Sequence, residues 1–336
     1  MIARIFPVII AAVGVVVAGA ASTPRAGADE EKILNVYNWS DYIAEDTVAN
    51  FTKETGIKVH YDVYDSNEVL EAKLLAGHSG YDVVVPSAAP YLARQASSGV
   101  YKKIDKAALK NYDDLDPQIL AAAANADPGN QFGVPYMWGT TGFGYNRAQV
   151  KKALGDNAPL DSSALVFDPA NAQKLGACGI ELLDSAQELF PAALAYLHAD
   201  PLSRTQADLD RAAGVIQAIR PAIRKFHSSE YINDLANGDI CVAWGYSSDI
   251  NLAKRRAAEA NKGVTVVYSI PKEGSERYID TMAMPKDAPH PQAALAFLNY
   301  IMQPEVMAET SNTIYGQSGN ADAIKFVKPE IAADKT

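Results

Sequence analysis

The sequence predicts an α/β fold built as two lobes with a ligand cleft between them. Strand and helix signals alternate from Ile33 onward in a β-α-β-α-β rhythm, which argues a sheet layered with helices. A second set of elements begins after Gly133-Val134-Pro135-Tyr136. A chain of 336 residues also exceeds what one core usually organises, so two bodies of ordinary size are expected. The 48% apolar and 21% charged shares suit a globular chain and exclude a disordered or collagen-like polymer.

Ahead of these elements, Met1 to Arg4 carries one positive charge, and Ile5 to Ala21 is an apolar run without a charged residue. Ala26-Gly27-Ala28 is an A-x-A site followed by the acidic Asp29-Glu30-Glu31. Residues 1–28 therefore read as a signal peptide cleaved after Ala28. The rival is an uncleaved anchor, because the run approaches the length that spans a bilayer. No cysteine stands near the leader, which argues against a lipid anchor. The net charge is −10, and loss of Arg4 and Arg25 takes it to −12. Such a balance disfavours nucleic acid and anionic membranes and suits cationic ligands.

In chain order, Ile33–Asn38 reads as a strand and Glu45–Thr55 as a helix stopped by Gly56. Lys58–Tyr64 alternates as a second strand, followed by a helix over Ser66–Ala76. Tyr81–Pro86 is a short apolar strand of the doubly buried kind. The second set comprises strand Glu181–Leu183, helices Ser185–Leu197 and Gln206–Ile219, and strand Asp239–Trp244. Strands Val264–Ile270 and Tyr278–Met284 follow, then a helix over Pro291–Met302. Crevices at the carboxyl ends of such strands are where α/β proteins bind ligands.

Several motifs fail on inspection. Gly139-Thr140-Thr141-Gly142-Phe143-Gly144 resembles a phosphate loop, but Arg147 stands where a dinucleotide fingerprint needs glycine, so a tight turn is expected. Gly245-Tyr246-Ser247-Ser248-Asp249 lacks the final glycine of a nucleophile elbow. The five histidines show no H-x-x-x-H spacing, and no zinc site is expected. Cys178 and Cys241 are the only cysteines; in an exported chain they read as a disulfide, with two buried thiols as the alternative.

What remains are aromatic rings beside carboxylates at strand ends. Trp39-Ser40-Asp41-Tyr42 follows the first strand, Ser87 the third, Tyr246-Ser247-Ser248-Asp249 the strand after Cys241, and Tyr278-Ile279-Asp280 lies on a later one. Taken singly, each suits core packing or a helix cap. Together they suit a ligand cationic at its ends and apolar between, since ring faces attract ammonium groups and carboxylates accept their hydrogen bonds.

From Leu34 to about Tyr315 the chain resembles the periplasmic polyamine-binding proteins of ABC importers, most closely the putrescine-binding type. The resemblance runs through N-W-S-D-Y-I at 38–43, Y-D-V-V-V-P-S at 81–87, G-V-P-Y-M-W-G-T-T-G-F-G-Y-N at 133–146, the segment 227–245 and A-M-P-K-D-A at 283–288. It implies a type II binding-protein fold that closes on its ligand, with lobe 1 from 29–136 and 264–303 and lobe 2 from 137–263 and 304–336. Trp39, Tyr42, Tyr246, Tyr278 and Tyr315 would wall the ligand, with Ser40 and Ser87 as polar contacts. Glu188 would hold one ammonium with Asp184 nearby; Asp249 and Asp280 would hold the other, helped by Asp41. Position 246 is Tyr where the putrescine type has Trp, and 278 is Tyr where it has Phe. The resemblance also implies a C-terminal segment beyond Thr336.

The function expected is periplasmic capture of a polyamine, putrescine foremost, by a monomer that delivers it to an ABC permease. No catalysis, cofactor or metal is implied. Spermidine or another cationic amine is the near alternative. Ferric iron on tyrosine oxygens and an exported hydrolase with a carboxylate pair are the distant ones.

Overall fold

A computed structural model of the chain describes residues 31–333; the expected signal peptide and its cleavage site lie outside them. Strand β1 (Ile33–Trp39) alternates in burial, so Leu34, Val36 and Asn38 face inward. Helix α1 (Thr47–Thr55) stops at Gly56, whose φ of 72° is the left-handed conformation that glycine adopts freely. Strand β2 (Lys58–Tyr64) runs parallel to β1, with Trp39 opposite Tyr64. Helix α2 (Asn67–Leu75) is capped by the Ser66 hydroxyl, which accepts from the Val69 N–H at 3.3 Å.

The third strand, β3, is only Val83–Val84 rather than the expected Tyr81–Pro86. Asp82 limits it at one end, because its carboxylate accepts from the backbone N–H groups of Asn35 (2.7 Å) and His290 (2.6 Å). Pro86 limits it at the other, having no N–H to give a ladder.

The largest departure concerns Gly139–Gly144, expected as a tight turn. These residues lie inside β4 (Gly133–Asn146), a strand of 14 residues. The glycines answer to neighbours distant in sequence: a methyl at Gly139 would collide with the Tyr278 hydroxyl, and one at Gly144 would come within 2.7 Å of Ile250.

The following stretch supplies β5 (Ile180–Leu182), α3 (Ala186–Tyr196), α4 (Gln206–Ile219), β6 (Ile223–Phe226), α5 (Tyr231–Asn237), β7 (Val242–Tyr246) and α6 (Ser247–Ala260). Then come β8 (Val266–Ser269), β9 (Arg277–Ala283), α7 (Pro291–Ile301), α8 (Pro304–Ile314) and the short β10 (Gln317–Ser318). The sheet order is β2-β1-β3-β9-β4-β7-β5-β6. Strand β4 is common to both halves. Its first part pairs antiparallel with β9, and its last part with β7 and β8.

Each half has its own hydrophobic core. One gathers Leu34, Val36, Val83, Val134, Met282 and Phe297; the other gathers Phe143, Ile180, Leu182, Val242, Trp244 and Ile250. Two stretches pack differently from the expected lobe boundaries. Val306, Met307 and Ile314 of α8 join the first core, although 304–336 was assigned to lobe 2. Val266 joins the second, because β8 pairs with the far end of β4. Cys178 and Cys241 form the expected disulfide, their Cα atoms 5.5 Å apart, which ties the approach to β5 to the approach to β7. Among the described residues no helix is long and apolar enough to cross a membrane.

Candidate functional site

Strand ends from both halves meet at a narrow slot of about 30 Å³. The end of β1 brings Trp39 and then Ser40 and Tyr42; β7 and the first turn of α6 bring Tyr246 and Asp249; β9 brings Tyr278 and Asp280. Ser87 completes the set of expected residues that line it. The rings form a continuous wall. Trp39 and Tyr246 stand 6.4 Å apart between centroids, and Tyr246 meets Tyr278 edge-on at 5.3 Å. The Trp39 ring is fixed by its indole N–H donating to the Val85 carbonyl at 2.9 Å.

Two of the slot's three carboxylates, Asp249 and Asp280, are set by hydroxyls. Tyr42 donates to Asp280 Oδ2 at 2.8 Å and Ser87 to Oδ1 at 2.6 Å, while Asn67 in turn donates to the Ser87 hydroxyl at 3.0 Å. Tyr231 donates to Asp249 Oδ2 at 2.6 Å. Burial pushes the Asp280 carboxyl up to about 6, against the lowering pull of Ser87 and Tyr42. Burial likewise pushes Asp249 up to about 7, with Asp41 raising it and Tyr231 lowering it. These groups carry the free-energy cost of desolvated charge that an arriving cation would relieve.

Four expected residues stand off the slot. Asp41 is exposed on one side of the cleft and pairs with Arg256 at 3.0 Å. Asp184 is exposed ahead of α3. Tyr315 caps α8 in a left-handed conformation (φ 57°), with Arg255 5.4 Å and Lys328 5.8 Å from its ring. Glu188 lines a neighbouring cavity with Thr141, Trp244 and Glu276. Burial raises its carboxyl well above the usual range, and Glu276, Asp280 and Glu68 add to this, while the neighbouring Tyr246 hydroxyl acts the other way.

Sequence reasoning missed Tyr64, Asp65, Ser228, Ser229 and Ile232, all of which line the slot, and Tyr231, which holds Asp249. Tyr64-Asp65 ends β2 just as Trp39 ends β1, so the strand-end signal was present there. Ser228 to Ile232 open a helix instead, and carry no such signal.

The site contains no cluster of three or more His, Cys, Asp or Glu suited to a metal among the described residues. Burial raises the Tyr42, Tyr231 and Tyr246 phenols well above the usual tyrosine range, and Tyr42 and Tyr231 donate to carboxylates.

Residues 46–336 match the family of bacterial extracellular solute-binding proteins. The chain belongs to that family. It is 55% identical over 309 residues to the putrescine-binding periplasmic protein SpuD of Pseudomonas aeruginosa, covering 92% of this chain and 84% of the relative. It is 51% identical to the putrescine-binding periplasmic protein PotF of Escherichia coli, covering 94% and 86%. Among solved structures, the spermidine/putrescine ABC transporter substrate-binding protein PotD of Streptococcus pneumoniae superposes with a TM-score of 0.71 at 25% identity, covering 90% of this chain and 88% of that one. The TpPotD lipoprotein of Treponema pallidum does so with a TM-score of 0.74 at 28% identity, covering 88% of each. The two-core architecture around β4 is thus the type II binding-protein fold, and the slot is lined by residues from both halves.

Proposed function

We propose that the protein captures a polyamine, putrescine foremost, in the periplasm and delivers it to an ABC importer. The observation that carries this is the slot itself: half-buried Asp249 and buried Asp280, held by hydroxyl donors and walled by Trp39, Tyr246 and Tyr278. Its rings pack methylenes and attract ammonium groups, and the carboxylates accept the charged donors. Glu188, just behind Tyr246, serves the ammonium at the other end. A carboxylate at each end measures ligand length, because a monoamine leaves one buried charge unpaired. Putrescine-binding relatives at 55% and 51% identity support the same class of ligand. The chain acts as a monomer after cleavage at Ala28, and its two lobes close on the amine.

Contacts across the cleft support a closed form: Arg256 with Asp41 at 3.0 Å, and the Ser185 hydroxyl donating to Glu68 at 3.0 Å. Ligand contacts to both halves select that form by differential affinity. Calorimetry of the mature protein against putrescine, cadaverine, agmatine, spermidine and iron tests the reading. Tight, stoichiometric binding of a diamine or triamine is expected; binding of iron alone, or of no amine, overturns it.

A further inference from the structure

Asn67 does not line the slot, but a single hydroxyl ties it to one of the slot's carboxylates. It is the first residue of α2, only 4% exposed, and its side chain grips Ser87 at two points. Oδ1 accepts from the Ser87 backbone N–H at 3.1 Å, and Nδ2 donates to the Ser87 hydroxyl at 3.0 Å. The direction of these bonds is forced. A backbone N–H can only donate, so the carbonyl end of the amide must face it, and the amino end then faces Oγ. Ser87 Oγ is therefore an acceptor on that side, and its own proton is left for Asp280 Oδ1, 2.6 Å away. A proton on Asp280 Oδ1 would meet the Ser87 proton head on.

We propose that Asn67 is a positioning residue for amine capture: acting through Ser87, it holds Asp280 as a pure acceptor before the ligand arrives. The inference rests on the polyamine reading and deepens it at the Asp280 end. Tyr42 supplies the second hydroxyl, to Oδ2, so both carboxylate oxygens receive a donor while each keeps a lone pair for an ammonium. Ser87 has no proton left to offer the ligand. A ligand carbonyl or carboxylate oxygen therefore finds no donor at Ser87 and Asp280, whereas an ammonium finds acceptors. Without Asn67 the Ser87 proton loses the partner that fixes its direction, and Asp280 leans on Tyr42. Burial already pushes that carboxyl up to about 6, and a weaker hold from Ser87 pushes it further. The other ionisable groups facing Asp280 are Tyr42 after β1, Tyr64 of β2, Tyr136 of β4, Tyr246 of β7, Tyr278 of β9 and Glu188 of α3. All six are common to the parent and an Asn67 variant, so a difference between those two chains reports on Asn67.

The test is the pH profile of putrescine affinity, by calorimetry from pH 5.5 to 8.5, for the full mature chain, Asn67→Leu, Ser87→Ala and the double variant. Asn67→Leu is close in shape and removes both grips on Ser87. Its acid-side fall in affinity is expected to begin about one pH unit higher than the parent's. That makes it about threefold weaker at pH 6.5, nearly tenfold weaker at pH 5.5 and unchanged within about twofold at pH 8.5. Ser87→Ala is expected to show the same displacement, and adding Asn67→Leu to it no further one, because Asn67 acts through that hydroxyl. A loss equal at every pH, or one that persists in full in the Ser87→Ala background, makes Asn67 a pin for the chain at Ser87 and overturns the proposal. If Asn67→Leu does not fold, the parent decides. With nitrogen-15-labelled asparagine, the Asn67 side-chain amide is expected to titrate with the Asp280 carboxyl in the parent and not in Ser87→Ala. An amide resonance that does not move between pH 5 and 8 overturns the proposal. A parent that binds no amine overturns the polyamine reading instead, and the amide titration, which needs no ligand, then decides the role of Asn67 alone.

Discussion

In the slot, two carboxylates are held by hydroxyls: Asp280 receives them from Tyr42 and Ser87, and Asp249 receives one from Tyr231. In the larger cavity next door, Glu188 keeps a buried oxygen with no partner. Both places hold carboxyls raised by burial; Asp249 and Asp280 are held by three hydroxyls in all, whereas Tyr246 alone among hydroxyls lowers Glu188. Preorganised donors lower the cost of ordering on binding, so the slot end should contribute more to affinity than the Glu188 end.

The largest expected effect follows from the slot. Asp249→Asn keeps shape and leaves an acceptor for Tyr231, so it removes charge alone. Amine binding should weaken by about 2–5 kcal/mol, roughly 30-fold to several-thousandfold. The unliganded protein should melt higher, because a buried charge without a cation has been deleted. Asp280→Asn should lose binding comparably but melt lower. An amide has one acceptor oxygen, so either the Tyr42 or the Ser87 hydroxyl loses its partner, at about 1–3 kcal/mol. Binding within threefold of the parent in Asp249→Asn would show that the slot is not the ammonium site.

How much of this comparison could be read from the chain alone depends on whether the cause was local. Lys58–Tyr64 and Gln206–Ile219 were read residue for residue, since alternation and helical periodicity are carried by neighbours in sequence. Strand β4 was not, because its glycines look like turn residues locally and are needed only where β9 and α6 approach. The packing of α8 on the first core was hidden for the same reason. Rings and acids at strand ends pick out Trp39, Tyr246, Asp249, Tyr278 and Asp280, all of which line the slot. Asp184 and Tyr315, named only through the resemblance, stand off the slot. Asp184 sits on an exposed approach to α3 and Tyr315 against two cations, positions that no pattern along the chain distinguishes from lining a cleft.

A pH series sharpens the contrast at intermediate magnitude. Amine binding needs ionised carboxylates, and the unliganded groups sit near 6 for Asp280 and 7 for Asp249. Affinity should therefore be flat above about pH 8 and fall as pH drops through 7 and 6, by up to about tenfold per unit for each carboxyl. Binding at pH 6.5 should release protons, measurable by calorimetry in buffers of different ionisation enthalpy. Folding stability of the unliganded protein runs the opposite way. Both folded values lie above the unfolded value of about 3.9, so folding favours the protonated form. The destabilisation sets in as pH rises from about 4 and is complete above 7. Affinity that stays constant from pH 5 to 8 would mean that the carboxyls are already ionised and the slot is wetter than its burial implies.

The smallest expected effect belongs to the Asp41–Arg256 pair, which joins the two halves beside the slot rather than within it. Its side chains are 46% and 31% exposed, so water and salt screen the interaction, and about 0.2–1 kcal/mol is the scale to expect. Single substitutions would mislead. Asp41 raises the Asp249 carboxyl and Arg256 lowers it, so removing either also changes the field that a cation feels. A double-mutant cycle with Asp41→Asn and Arg256→Gln cancels those one-body terms and leaves the pair. Because the partners come from opposite sides of the cleft, their coupling should be present in amine affinity and fade toward zero as salt approaches 1 M. Coupling found in the melting temperature of the unliganded protein but absent from affinity would place the bridge in the open form as well, and would remove it as a contribution to closure.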